Sequence, residues 1–141
     1  AVARAATNGA DDAARGVWSM GPATRGAVIE RALGGNLPRN FPVIDRFADG
    51  VATSIKSIDL GAQSYQSASA LTTTVTTYID QVAAFTGRTW GGVTVRGADI
   101  IGRSLELAVP AGSVSASQQA ALARAVQYGQ TVGVSVKVIP Y

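Results

Sequence analysis

A strand–turn–strand signal in the first half of the chain constrains the fold more than any other feature. Phe41-Pro-Val-Ile-Asp-Arg-Phe-Ala48 reads as an extended run with Pro42 at its mouth, and Val51 to Leu60 reads as a second. Between them Asp49-Gly50 is a dipeptide that favours a two-residue type I′ turn. Turn geometry sets hairpin register. Ala48 is therefore expected opposite Val51, Phe47 opposite Ala52, Arg46 opposite Thr53, Asp45 opposite Ser54 and Val43 opposite Lys56. Alternation of side chains then places Asp45, Ser54 and Lys56 on one otherwise apolar face. Asp45 and Ser54 become direct neighbours, with Cβ atoms roughly 4.5–5.5 Å apart and Lys56 on the diagonal. A slip of one residue would separate them.

The flanking segments supply the rest of an α/β domain. Pro22 opens a helix over Ala23–Leu33 with Val28, Ile29 and Leu33 as its apolar stripe, and Gly34-Gly35-Asn36 stops it. Leu71, Val75, Tyr78, Val82 and Phe85 recur at helical spacing within Ser64–Phe85, although the threonines from 72 to 77 are poor helix formers. Thr89–Val95 is turn-rich, and Arg103–Val109 alternates like a strand up to Pro110. Ser115–Gln130 is a helix opened by Ser/Gln capping chemistry, with Leu122 and Val126 inward, and Val134–Ile139 is a last strand. The order helix, hairpin, helix, strand, helix, strand predicts a mixed α/β (α+β) domain around a central mixed sheet. The 141 residues suffice for one such domain. Residues 21–141 are assigned to it and residues 1–20 to a linker or frayed segment. The opening without Met reads as a piece cut from a longer polypeptide.

Composition narrows the chemistry. Without cysteine or histidine there are no disulfides, no thiolate nucleophiles, no Ser-His-Asp triads and no His-ligated metals. Catalysis is left to carboxylates, lysine, hydroxyls or a metal held by oxygen. A net charge of +3, with ten arginines and the two lysines Lys56 and Lys137, permits a nucleic-acid partner. A hydrophobic content of 47% excludes an unfolded chain. No apolar run approaches the roughly 18–20 residues of a membrane span.

The predicted hairpin face gathers a carboxylate, a hydroxyl and an ammonium. An aspartate can ligate a divalent cation, and a nearby lysine can stabilise charge developing on a phosphate. A second carboxylate is needed, and Glu30 on the preceding helix is the best-placed one, with Asp59 a weaker one. The same residues also fit a plain cross-strand ion pair on a solvated sheet face.

Asp45, then Ser54-Ile55-Lys56 on the next strand, with Glu30 on a helix before them, resembles the PD-(D/E)xK nuclease signature, with Ser54 in the second acidic position. The stretch Asn40–Leu60, together with Ser64-Tyr65-Gln66, Tyr78-Ile79-Asp80 and Leu105–Pro110, resembles the C-terminal toxin domains of CdiA contact-dependent growth inhibition proteins over roughly residues 22–139. The resemblance implies a restriction-endonuclease-like core and a metal-dependent nuclease carried by a secreted or cell-surface exoprotein. It would act in the cytoplasm of a target bacterium and be neutralised by a cognate immunity protein, CdiI. It implies Glu30, Asp45, Ser54 and Lys56 as catalytic residues, with Glu30 and Asp45 holding Mg²⁺ or Zn²⁺. Serine at 54 leaves only two strong acidic ligands.

The substrate is expected from the surroundings of that face. Arg31 and Arg46, with Arg25 and Arg39, are candidates for phosphate contacts, and Trp90 for stacking on an unpaired base. A small, mildly basic domain without a clamp for duplex DNA favours tRNA as the substrate. A DNase on the same fold is the first alternative, and a non-catalytic binding or translocation module the second.

Overall fold

The computed structural model describes residues 16–112 and 114–141. A four-stranded mixed sheet forms the centre. In chain order the elements are α1 (Pro22–Ala32), β1 (Arg46–Ala48), β2 (Val51–Ser57), α2 (Ala68–Ala83), β3 (Arg88–Trp90), β4 (Val93–Val95), β5 (Gly102–Val109), α3 (Ala116–Thr131) and β6 (Val134–Pro140). The sheet runs β1-β2-β5-β6, with β1 antiparallel to β2 and the other two pairings parallel. The expected helix–hairpin–helix–strand–helix–strand order is thus observed, with a small β3–β4 hairpin inserted before β5.

Local chemistry explains the elements. Asp49 and Gly50 have φ of 53° and 77°, the left-handed pair of a type I′ turn, and the register is Arg46↔Thr53, Phe47↔Ala52 and Ala48↔Val51 as the turn dictates. Helix α3 starts with a complete capping box: Ser115 Oγ accepts from the Gln118 amide, and Gln118 Oε1 accepts from the Ser115 amide. Ser67 caps α2 by accepting from the Ala70 amide.

Packing places one helix on one face of the sheet and two on the other. Leu105, Leu107 and Val109 of β5 join Leu71, Val75, Ile79 and Val82 of α2 and Ala121, Leu122 and Ala125 of α3 in the main core. The alternate residues of β2 and β5, Ile55 and Ala108, meet Ile29 of α1 and Val17. A third apolar cluster of Phe41, Ile44, Ala52, Phe85 and Val95 closes the β1 end of the sheet.

Several expectations need correcting. Residues 41–45 are irregular, not strand, because Asn40 and Val43 take left-handed φ of 61° and 70° and turn the chain before β1. Val43 therefore does not pair with Lys56. In the α1 stripe Val28 faces solvent while Ile29 is buried, and in α2 Ile79 takes the buried position expected of Tyr78. Thr89–Val95 is the β3–β4 hairpin, turned by Gly91 and Gly92 with φ of 58° and 79°. For the supposed linker, residues 1–15 lie outside the described residues. Val17 is buried, and Trp18 Nε1 donates to the Tyr141 carbonyl, so the chain is packed there.

Candidate active site

Strand β1 contributes only three residue pairs, so beyond Thr53 the outer edge of β2 has no strand partner. Asp45 takes that place. Its amide donates to the Thr53 carbonyl (2.9 Å), and its Oδ2 accepts from the Ile55 amide (2.7 Å), so the residue spans Ser54. A carboxylate thus satisfies the strand edge where a neighbouring carbonyl would normally sit.

Glu30 comes to the same edge from α1. It follows Ile29, which is 1% exposed and fixes that helix on the sheet. Gly35 returns beneath it: its amide donates to the Glu30 carbonyl (2.8 Å), and a Cβ at position 35 would lie 2.8 Å from Glu30 Cγ. The Glu30 carboxyl lies near enough to Asp45 to act on its charge. Burial pushes the Asp45 carboxyl from 3.8 up to about 6. The Ile55 amide and the Lys56 charge oppose that rise, and the Glu30 carboxyl adds to it.

From the other face, α2 presents Tyr78, and the Lys56 ammonium lies 5.1 Å from the centre of its ring. Arg25, one turn before Glu30, donates from Nε to Ser57 Oγ (3.2 Å) and stacks on Trp18 at 5.2 Å. Ser54 Oγ is buried and has no hydrogen-bond partner among the described residues. Glu30, Asp45, Ser54 and Lys56 are therefore brought to one strand edge. Asp59 is not, since its Oδ1 accepts from the Gly61 amide in the turn after β2.

The three expected substrate contacts fare differently. Arg46 is turned to the opposite face, where both terminal nitrogens bond the buried Glu106 carboxylate and one also donates to the Leu33 carbonyl. That fork is occupied. Arg31 is exposed on the last turn of α1. Trp90 is 46% exposed at the β3–β4 tip, with its Nε1 donating to the Arg39 carbonyl. Sequence reasoning missed Tyr78, whose spacing marks it only as part of an apolar stripe. It also missed Ser57 and Glu106, which carry no local signal. Among the described residues no group of three or more carboxylate side chains that could hold a metal occurs.

Residues 25–139 match the family model described as the CDI toxin restriction endonuclease-like domain. The chain belongs to that family. Among curated proteins, it is 30% identical over 130 residues to deoxyribonuclease CdiA-o11 of Escherichia coli O157:H7 strain EC869, covering 86% of this chain and 34% of that protein. It is 34% identical over 109 residues to deoxyribonuclease CdiA of Yersinia pseudotuberculosis serotype O:3 strain YPIII, covering 75% of this chain and 10% of that protein. The chain thus spans about a third and a tenth of these relatives. A solved CdiA-CT/CdiI toxin and immunity complex from Yersinia pseudotuberculosis matches with a TM-score of 0.69 and 28% identity, over 80% of this chain and 98% of the matched one. The family agrees with the resemblance drawn from Asp45, Ser54 and Lys56. It places the mixed sheet among restriction-endonuclease-like cores. Both relatives bear the name deoxyribonuclease, which favours the DNA alternative over the tRNA expectation.

Proposed function

We propose that this chain is the nuclease domain of a contact-dependent growth inhibition toxin and that it hydrolyses DNA with a divalent cation. The observation that carries the reading is the convergence of Glu30, Asp45 and Lys56 on the open edge of β2, in a chain whose relatives are named deoxyribonucleases. A cation fits the residues present. Two neighbouring half-buried carboxyls, one of which raises the pKa of the other, gain from a positive charge between them, and Ser54 Oγ is a buried hydroxyl in want of a partner. Their donors are all oxygen, which suits Mg²⁺ better than Zn²⁺.

When bound, such a cation supplies positive charge against the phosphate and a more acidic water. The chain's own residues do the rest. Glu30 and Asp45 would hold the cation, with Asp45 oriented by the hydrogen bond it accepts from the Ile55 amide. Lys56 sets its ammonium against the charge that develops on the scissile phosphate, an effect larger in a half-buried site than in water. Arg25, steadied by Trp18 and Ser57, contacts a neighbouring phosphate of the strand. A cognate immunity protein is part of the same proposal, supported by the toxin–immunity complex that the fold resembles. So is action in the cytoplasm of a target bacterium, where a nuclease meets its substrate.

The test incubates purified protein with plasmid DNA or total tRNA, in Mg²⁺, Zn²⁺ or EDTA, beside Asp45→Ala and Lys56→Ala. Metal-dependent DNA cleavage lost in both variants is expected. Cleavage of tRNA alone would replace the substrate, and no cleavage of either with any metal would overturn the nuclease reading.

A further inference from the structure

Lysine carries four rotatable side-chain bonds, and an ammonium that must meet one phosphate gains from being held. In this protein the Lys56 ammonium lies over the ring of Tyr78, 5.1 Å from its centre, within the range at which a cation is drawn to an aromatic face. The ring itself has little room to move. Tyr78 is half-buried on α2, and its neighbours Val75, Ile79 and Val82 are at most 1% exposed in the main core. Burial holds the Tyr78 hydroxyl above its usual range. Lys56 therefore meets a neutral ring and not a phenolate that would pair with it and quench it.

We infer that Tyr78 is a positioning residue, whose ring face holds the Lys56 ammonium toward the Asp45 side of the β2 edge. The inference rests on the nuclease reading above for its kinetic consequence but not for its geometry. The ring is what matters, so phenylalanine should serve and leucine should not. A cation–π contact at a partly exposed site corresponds to roughly a 3- to 30-fold effect. The loss belongs in kcat, because a misplaced ammonium weakens the developing-charge interaction more than ground-state binding.

The chain has only two lysines, and Lys137 is exposed on β6, which makes a direct reading feasible. Protein carrying ε-¹³C-lysine is examined by NMR as the parent, Tyr78→Phe and Tyr78→Leu, and the same samples are assayed on plasmid DNA with Mg²⁺. In the parent and Tyr78→Phe, one lysine signal should be moved upfield by the ring current relative to the other. In Tyr78→Leu that displacement should vanish, with kcat down roughly 3- to 30-fold and KM little changed. Two coincident lysine signals in the parent would overturn the inference, whatever the activity. So would equal kcat in the parent and Tyr78→Leu, or a Tyr78→Phe variant as slow as Tyr78→Leu. If the folded parent cuts no nucleic acid, the nuclease reading fails while the lysine signals still decide whether the ring holds Lys56.

Discussion

Replacing Asp45 by asparagine should make the metal-free protein more stable while abolishing its chemistry. The carboxyl is pushed from 3.8 to about 6, chiefly by burial. A group that holds its proton more tightly when folded favours the folded state below its unfolded pKa, and that advantage is lost as pH rises through the folded pKa. The shift is about two units, and at about 1.4 kcal/mol per unit the ionised Asp45 costs up to about 3 kcal/mol by pH 8. Asparagine removes the charge yet keeps an oxygen to accept the Ile55 amide, so the strand edge stays satisfied. Urea unfolding in EDTA should therefore find Asp45→Asn more stable than the parent by about 1–3 kcal/mol at pH 8, or a Tm roughly 10 °C higher at the upper end. At pH 3.5 the gap should close. Millimolar Mg²⁺ should stabilise the parent and leave the variant unmoved. A variant less stable than the parent at pH 8, or a gap indifferent to pH, would refute the account of Asp45 as a carboxylate whose charge is opposed by burial.

Other substitutions test the support around the site. Glu106→Ala strands Arg46 beside a buried position and should cost about 2–4 kcal/mol in urea unfolding, whereas Arg46→Met with Glu106→Leu should recover most of that. Gly35→Ala places a methyl group against Glu30 Cγ and should lower DNA cleavage at least about tenfold, measured at saturating Mg²⁺, with a stability loss near 1 kcal/mol. Ser54→Ala deletes a buried hydroxyl without a partner, so stability should hold or rise by about 1 kcal/mol while cleavage falls. Arg25→Ala should weaken DNA binding and reduce the salt dependence of binding by about one phosphate contact, read from log Kd against log salt.

What was legible in the sequence was what short-range chemistry dictates. Asp49-Gly50 determines its turn and thereby a register that three pairs confirm. Ser115 and Gln118 announce the start of α3, and period-3.6 spacing finds the buried face of α2. The approach to β1 was not legible. Phe41, Val43 and Ile44 have strand-like composition, yet Val43 sits at positive φ, a tertiary choice that buries Phe41 and Ile44. The site shows the same division. Ser54 and Lys56 fall on β2 as the turn dictates, but Asp45 lies before β1 and reaches that edge by bridging Thr53 and Ile55 and not as a strand pair, and Arg46 looks like a phosphate contact until Glu106, sixty residues on, is folded against it. Tyr78 reads as core because spacing cannot tell a ring that fills space from one that faces a cation.

The candidate residues share an arrangement with a consequence for how activity arises. Glu30 follows Ile29, Asp45 follows Ile44, Lys56 follows Ile55 and Tyr78 precedes Ile79, so each polar group is carried by a buried isoleucine. Those isoleucines belong to all three apolar clusters: Ile29 and Ile55 to one, Ile44 to the second and Ile79 to the third. The site is thus a conjunction, present only when three separate condensations have all been completed. An activity built on these residues would therefore require the packing of all three clusters.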